Sequence, residues 1–171
     1  MTITVLIPTA NRARMLKAAL QSVLLQSALC EVSRVIVSEN GGSHDSMEVC
    51  RYFADKMPLE WHCQRDLLTP QEHSVWLSAQ VKTKFVALLA DDDMWDKYHL
   101  EEALMQLRSY PEASAYFGRA VKVVDSSCQP YGVFAVSYPQ NEGSPLDDLV
   151  DAEIWGQREL ALNSLSATPL N

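Results

Sequence analysis

The chain has 171 residues and a mass of 19.2 kDa, with 47% hydrophobic and 21% charged residues, a globular balance that excludes global disorder. At this length one core buries roughly 70% of the unfolded surface, so folding needs no disulfide or metal staple. With 14 Lys+Arg against 22 Asp+Glu, the formal charge is −8 and the pI about 4.9; this excludes a broad duplex-DNA footprint, though not one local site for an anionic ligand.

Thr2–Ile7 (TITVLI) is a short β-branched apolar run stopped by Pro8, the signature of a buried strand. Met15–Gln26 follows as a helix, with Leu16, Ala19, Leu20, Val23 and Leu24 on one stripe. Arg34–Ser38 (RVIVS) reads as a second strand closed by Glu39-Asn40-Gly41-Gly42. Met47, Cys50, Phe53, Ala54 and Met57 then keep helical spacing, with Asp45 and Glu48 placed like a capping box. Leu59–Cys63 is a third strand. Thr69-Pro70-Gln71-Glu72 combines a cap residue, proline at the first helical position and the glutamate that completes a box.

Phe85–Ala90 (FVALLA) is the most hydrophobic strand and ends abruptly at Asp91-Asp92-Asp93. A helix over Lys97–Tyr110, stopped by Pro111, carries Leu100, Leu104 and Leu107, and Ala115–Asp125 reads as another strand or bent pair. Beyond it, Ser126–Pro145 has the Ser, Pro, Gly and Gln content of a long loop, and Leu146–Leu162 has the spacing of a helix. The order βαβαβαβα followed by β implies an α/β fold, a Rossmann-like doubly wound, mostly parallel sheet covered on both faces.

No run of about 18 apolar residues is present, so no segment is expected to cross a membrane, and Met1–Leu6 lacks the pattern of a signal peptide. Cys30, Cys50, Cys63 and Cys128 show neither CxxC pairing nor zinc spacing with the histidines, which fits reduced thiols of a cytoplasmic protein.

Doubly wound sheets bind ligands at the carboxyl ends of their strands. Four polar segments fall there: Pro8-Thr9-Ala10-Asn11-Arg12, Ser38-Glu39-Asn40, Gln64-Arg65-Asp66 and Asp91-Asp92-Asp93. Three consecutive aspartates repel one another and need a compensating cation or solvent. Their hard oxygens suit Mg²⁺ or Mn²⁺, which bind one or two carboxylates together with phosphate oxygens and water. The alternative is a solvated turn in which Asp93 or Asp96 caps the next helix.

These segments resemble family 2 glycosyltransferases of the GT-A fold. The resemblance rests on ITVLIPTANRARMLKAALQSVLLQS, VIVSENGGSHD and FVALLADDDMW, in that order and spacing, over about residues 2–125. It implies transfer of a sugar, with inversion, from a nucleotide-diphospho-sugar (UDP- or GDP-linked) to a glycan or lipid-linked acceptor, assisted by Mn²⁺ or Mg²⁺. Residue by residue, it implies that Pro8, Thr9, Asn11 and Arg12 line the nucleoside and diphosphate pocket. Glu39 stands where the family usually has a base-binding aspartate, with Asn40 beside it. Asp91, Asp92 and Asp93 fall in the DxD region for ribose and metal, and His73 takes the place of a polar pocket residue.

Three departures stand out: Ala10 replaces a frequent aromatic, Glu39 is one methylene longer than aspartate, and QRDLLTPQEHSVWLSAQ lacks the usual Asn-rich, Gly-containing stretch. The absence of glycine in PTANRAR argues against a sugar-phosphate nucleotidyltransferase, and no GxGxxG marks a dinucleotide enzyme.

Inversion needs a general base. The family places it downstream of the metal motif, where Asp148, Asp151 and Glu153 are the candidates and a solvated helix face is the alternative. The expected organisation is a nucleotide-sugar-binding domain over 1–125 and a flexible loop plus helix over 126–171. That second part reads as the start of an incomplete acceptor region, giving donor binding without efficient transfer. A cytoplasmic location, peripheral at the inner membrane face for a lipid-linked acceptor, completes the expectation, with no nucleic-acid partner and no signal of oligomeric state. A non-catalytic α/β domain whose acidic rim serves regulation or protein interaction stays open as the second reading.

Overall fold

A computed structural model of the chain describes residues 3–42, 44–118, 120–124, 129–134 and 152–156, the last three stretches as backbone. In chain order the elements are β1 (Ile3–Thr9), α1 (Ala13–Leu24), a 3-10 turn (Leu29–Glu31), β2 (Val32–Asn40), α2 (Asp45–Ala54), β3 (Leu59–Gln64), α3 (Pro70–Ser78), β4 (Phe85–Leu88), α4 (His99–Ser109), β5 (Ala113–Gly118), β6 (Ala120–Val124), β7 (Gln129–Phe134) and β8 (Ala152–Gly156). Two compact units divide at Glu101/Glu102, inside α4, whereas the sequence places the end of the nucleotide-binding part at residue 125.

The first unit holds a four-stranded sheet of order β3-β2-β1-β4, and every pairing in it is parallel. Parallel neighbours joined through a helix cross over right-handedly. Stepping from β1 to β2 to β3 in one direction therefore puts α1 and α2 on one face, where they lie against each other. Returning past β1 to β4 puts α3 on the opposite face, where Leu77 packs with Leu6 and Ile36 and is flanked by Trp76 and Val81. Each of those buried aliphatic side chains contributes roughly 1.5–3 kcal/mol. On α1, Leu16, Ala19, Leu20 and Val23 are fully buried, as the stripe requires, and the expected mostly parallel α/β sheet is present.

Several local expectations change. The fourth strand stops at Leu88 and is an edge of this sheet, with Val86 44% and Leu88 55% exposed. Its apolar run is therefore only half-buried, rather than covered on both faces. At α2, His44 occupies the N-cap without a side-chain bond, so the box expected from Asp45 and Glu48 does not form. Gly41 and Gly42 before it are both at positive φ, and the N-cap falls one residue earlier than the spacing predicts. Asp45 and Glu48 then lie inside the first turn, where their charges favour the helix dipole.

The second unit, Glu102–Asn171, contains two antiparallel pairs, β5 with β8 and β6 with β7. Both correct the sequence reading. Gln129–Phe134 is a strand within the expected loop, and Ala152–Gly156 is a strand within the expected helix over Leu146–Leu162. The helical spacing there is overridden by pairing: Ile154 and Trp155, favoured in strands, lie opposite Tyr116 and Ala115. The remainder of 126–171 lies outside the described residues.

The helix start at Thr69 forms as expected. The Thr69 Oγ1 accepts from the Glu72 amide at 3.3 Å, the Glu72 carboxylate accepts from the Thr69 amide at 2.9 Å, and Pro70 opens the helix. Thr69→Ala is expected to cost about 1 kcal/mol, seen as a lower urea midpoint at unchanged slope.

Candidate functional site

In an open sheet the crevice lies where strand connections reverse direction, here between β1 and β4. Pro8 opens it. Leu89 still donates its amide to the Leu6 carbonyl, so by strand alternation the Pro8 nitrogen also faces β4, which has already ended. A residue with no N–H costs nothing at that point and lets the two strand ends part.

Side chains bridge the gap. The Thr9 hydroxyl donates to Asp91 Oδ2 at 2.7 Å. Arg12 Nη1 reaches Asp91 Oδ1 at 3.2 Å and Asp92 Oδ2 at 2.9 Å. Asp91 is buried, whereas the Arg12 and Asp92 side chains are 51% and 48% exposed. Asp91 first, then Asp92, raise the guanidinium's pKa and keep it charged. The cation that the aspartate run requires is therefore supplied in part by the chain itself. At Asp93, partial desolvation and the neighbouring Asp92 and Asp91 charges raise the carboxyl pKa.

On the other side of β1, Asn11 adopts φ 55°, the left-handed region, and its amide donates to Glu39 Oε1 at 2.8 Å. Glu39 is fully buried, and its Oε2 has no partner among the described residues. Gly41, at φ 119°, lies close by: a Cβ there would sit 3.8 Å from the Asn11 side-chain Nδ2. Asn40 is committed elsewhere, donating to the Leu68 carbonyl and accepting from the Leu68 amide, both at 2.9 Å. It pins the segment after β3 to the end of β2.

His73 lies below the rim rather than on it. It is 5% exposed, and its Nε2 sits 2.8 Å from Ser38 Oγ, which also accepts from Gln64 Nε2 at 2.9 Å. Burial lowers the imidazole pKa, opposed by the Glu39 charge. Arg65 is exposed and forms no ion pair among the described residues, and nearby Glu60 is held by Arg34 through two contacts of 2.7 Å. Of the expected site residues, Thr9, Arg12, Asp91 and Asp92 meet in one cluster. Asn11 with Glu39, and Asn40, form two separate contacts. Asp148 and Asp151 lie outside the described residues, and Glu153 is described only as backbone of β8, opposite Phe117.

Two residues that the sequence reading passed over hold the aspartate loop. Gln26 Nε2 donates to the Asp96 and Ser22 carbonyls at 2.6 and 3.1 Å, and its Oε1 accepts from the Leu100 amide at 3.0 Å. Ser22 Oγ accepts from the Trp95 amide at 3.1 Å, and Trp95 stacks on His99 at 5.1 Å. The signal was there: Ser22 and Gln26 are four residues apart on the buried side of α1 and just beyond it, polar groups on an apolar stripe.

A family model described as Glycosyl transferase family 2 matches residues 4–130. Among solved structures, S. aureus TarS 1-349 superposes with a TM-score of 0.64 at 19% identity, covering 76% of this chain and 38% of that one. The same protein in complex with UDP-GlcNAc gives 0.63 at 19%, covering 76% and 37%. Mannosyltransferase PcManGT from Pyrobaculum calidifontis, in complex with GDP-Man and Mn²⁺, gives 0.59 at 18%, covering 72% and 35%. At such identities the likeness is one of fold, and the chain spans well under half the length of these structures. No curated protein sequence matches it.

Gln26→Leu strips three backbone groups of their partner and is expected to cost about 2–4 kcal/mol in urea unfolding. His73 and His99 are both held below their ordinary value of 6.5 by burial. The folded state thus binds fewer protons than the unfolded one, so stability is full above that value and falls as pH drops below it. Urea midpoints at pH 7.5 and 5.5 measure this, and His73→Gln is expected to flatten the loss.

Proposed function

The chain belongs to glycosyl transferase family 2, and from that premise we propose that residues 1–125 bind a UDP- or GDP-linked sugar donor. The observation that carries this reading is the meeting of Thr9, Arg12, Asp91 and Asp92 at the reversal point of the sheet. A solved neighbour held with UDP-GlcNAc and another held with GDP-Man and Mn²⁺ support it at the level of fold.

The donor chemistry of the rim fits a divalent cation of the Mn²⁺ or Mg²⁺ kind, because the ligand atoms it offers are carboxylate oxygens. No group of three or more His, Cys, Asp or Glu able to hold a metal exists among the described residues. An ion here would therefore draw the rest of its shell from phosphate oxygens and water, held on the protein side by Asp91, Asp92 or Asp93. When bound, it supplies positive charge to the diphosphate leaving group.

The remaining roles belong to the chain. Arg12 offers a planar fork of donors to phosphate oxygens. Pro8, Thr9 and Asn11 shape the turn beneath the diphosphate. Glu39 and Asn40 edge the base pocket, and Glu39 fixes the Asn11 backbone. His73 acts from below, through Ser38. Inverting transfer to a glycan or lipid-linked acceptor requires a group that takes the acceptor hydroxyl's proton, for which Asp148, Asp151 and Glu153 stand as candidates. Action on the cytoplasmic side, peripheral to the membrane for a lipid-linked acceptor, belongs to the same proposal. No helix among the described residues is long and apolar enough to cross a membrane.

Calorimetric titration with UDP and GDP, with and without Mn²⁺, tests donor binding. Mn²⁺-dependent affinity for one of them is expected, and Asp91→Asn, which keeps a partner for Thr9, is expected to weaken it by at least about tenfold, roughly 1.4 kcal/mol. No Mn²⁺-dependent affinity for either nucleotide would overturn the reading and leave an acidic rim for protein contact.

A further inference from the structure

Arg12 touches both of the carboxylates nearest the crevice. Its Nη1 lies 3.2 Å from Asp91 Oδ1 and 2.9 Å from Asp92 Oδ2, while Thr9 takes Asp91 Oδ2 at 2.7 Å. Both oxygens of Asp91 are therefore already engaged. A divalent cation on these carboxylates would sit against a guanidinium of like charge, so the two compete for one place. The geometry gives Arg12 a way out. It stands at the N-cap of α1, makes no side-chain cap bond there, and its side chain is 51% exposed. Rotation about its own bonds frees the carboxylates without moving the helix.

We propose that Arg12 is an exchangeable counter-ion, resting on Asp91 and Asp92 and passing to the donor's phosphate oxygens when a divalent cation takes those carboxylates. The proposal rests on the donor-binding reading above and adds an order to it. A cation arriving alone must displace Arg12 into water. A cation arriving with a diphosphate does not, because the guanidinium gains a new anionic partner that its fork of donors fits. Cation and diphosphate are then coupled, and each raises the other's affinity by the same factor. Thr9 stays on Asp91 throughout, so the buried carboxylate keeps one fixed partner while the exposed one changes.

The test titrates the full chain with Mn²⁺ alone and again with saturating UDP or GDP, following free Mn²⁺ by electron paramagnetic resonance. Wild type is compared with Arg12→Met, which keeps length without charge, and with Arg12→Lys, which keeps charge without the fork. Arg12→Met is expected to bind Mn²⁺ alone on the order of tenfold more tightly than wild type, a gain that a misfolded variant would not show. The increase in Mn²⁺ affinity caused by the nucleotide is expected to shrink by a similar factor, with Arg12→Lys between the two. Equal Mn²⁺ affinity in Arg12→Met and wild type, or an unchanged nucleotide effect, overturns the exchange and leaves donor binding standing. Absence of UDP and GDP binding to wild type under every condition removes the donor reading, and the exchange with it.

Discussion

The bond between Thr9 and Asp91 joins two strand ends that no backbone ladder connects. Residue 91 follows a strand that stopped three positions earlier, and Pro8 has no amide with which to extend the pairing. Without this contact, the aspartate turn would be tied to the segment after β1 only through the exposed Arg12 side chain. With it, a buried carboxylate is fixed at the point where strand order reverses, and Arg12 follows as its charge partner. Asp92 is then placed by its covalent neighbour and by the same guanidinium. The cluster therefore begins with one hydroxyl and one carboxylate, and its remaining geometry depends on them.

Charge explains why an arginine belongs there. The chain carries a formal −8, so its average field repels an anionic donor. Affinity for a diphosphate must come from local cations. In the proposed exchange, a guanidinium lying on carboxylates is a cation kept in position while its own field is cancelled, to be released where the incoming ligand needs it. Its exposure matters as much as its charge. A pair buried at both ends would pay several kcal/mol on breaking, whereas Arg12 and Asp92 are both about half-exposed, and buried Asp91 keeps its bond from Thr9 when the guanidinium leaves.

Much of the frame was legible in the residues. Thr69-Pro70-Gln71-Glu72 specified its helix start because cap, proline and box glutamate all act within four residues. The buried stripe of α1 and the runs that became β1 and β2 were equally local signals. What failed was decided outside the residues that carried the signal. Asp45 looked like a cap, but the N-cap is His44, after two glycines at positive φ, and Asp45 is already the first helical residue. Ala152–Gly156 has helical spacing in its surroundings, yet it pairs with β5, more than thirty residues back in the chain. In the site, the grouping of four polar segments at strand ends was readable. Which of them touch was not, because Thr9 and Asp91 are 82 positions apart.

The polar contacts under the rim form a second tier with a different character. Glu39 holds the Asn11 amide, Asn40 holds both backbone groups of Leu68, and Gln26 holds Asp96 and Leu100. Each uses a buried or part-buried side chain to saturate backbone in a different segment, and each broken contact would orphan groups worth about 1–3 kcal/mol apiece. Loops built from their own turn chemistry would drift on that scale; these are tied to strand and helix ends instead. The Asn11 backbone, in a conformation that most residues avoid, persists because Glu39 bonds it from below. A frame satisfied from beneath confines freedom at the rim to the long exposed side chain above it. That is the physical condition under which Arg12 can change partners while the carboxylates keep their places.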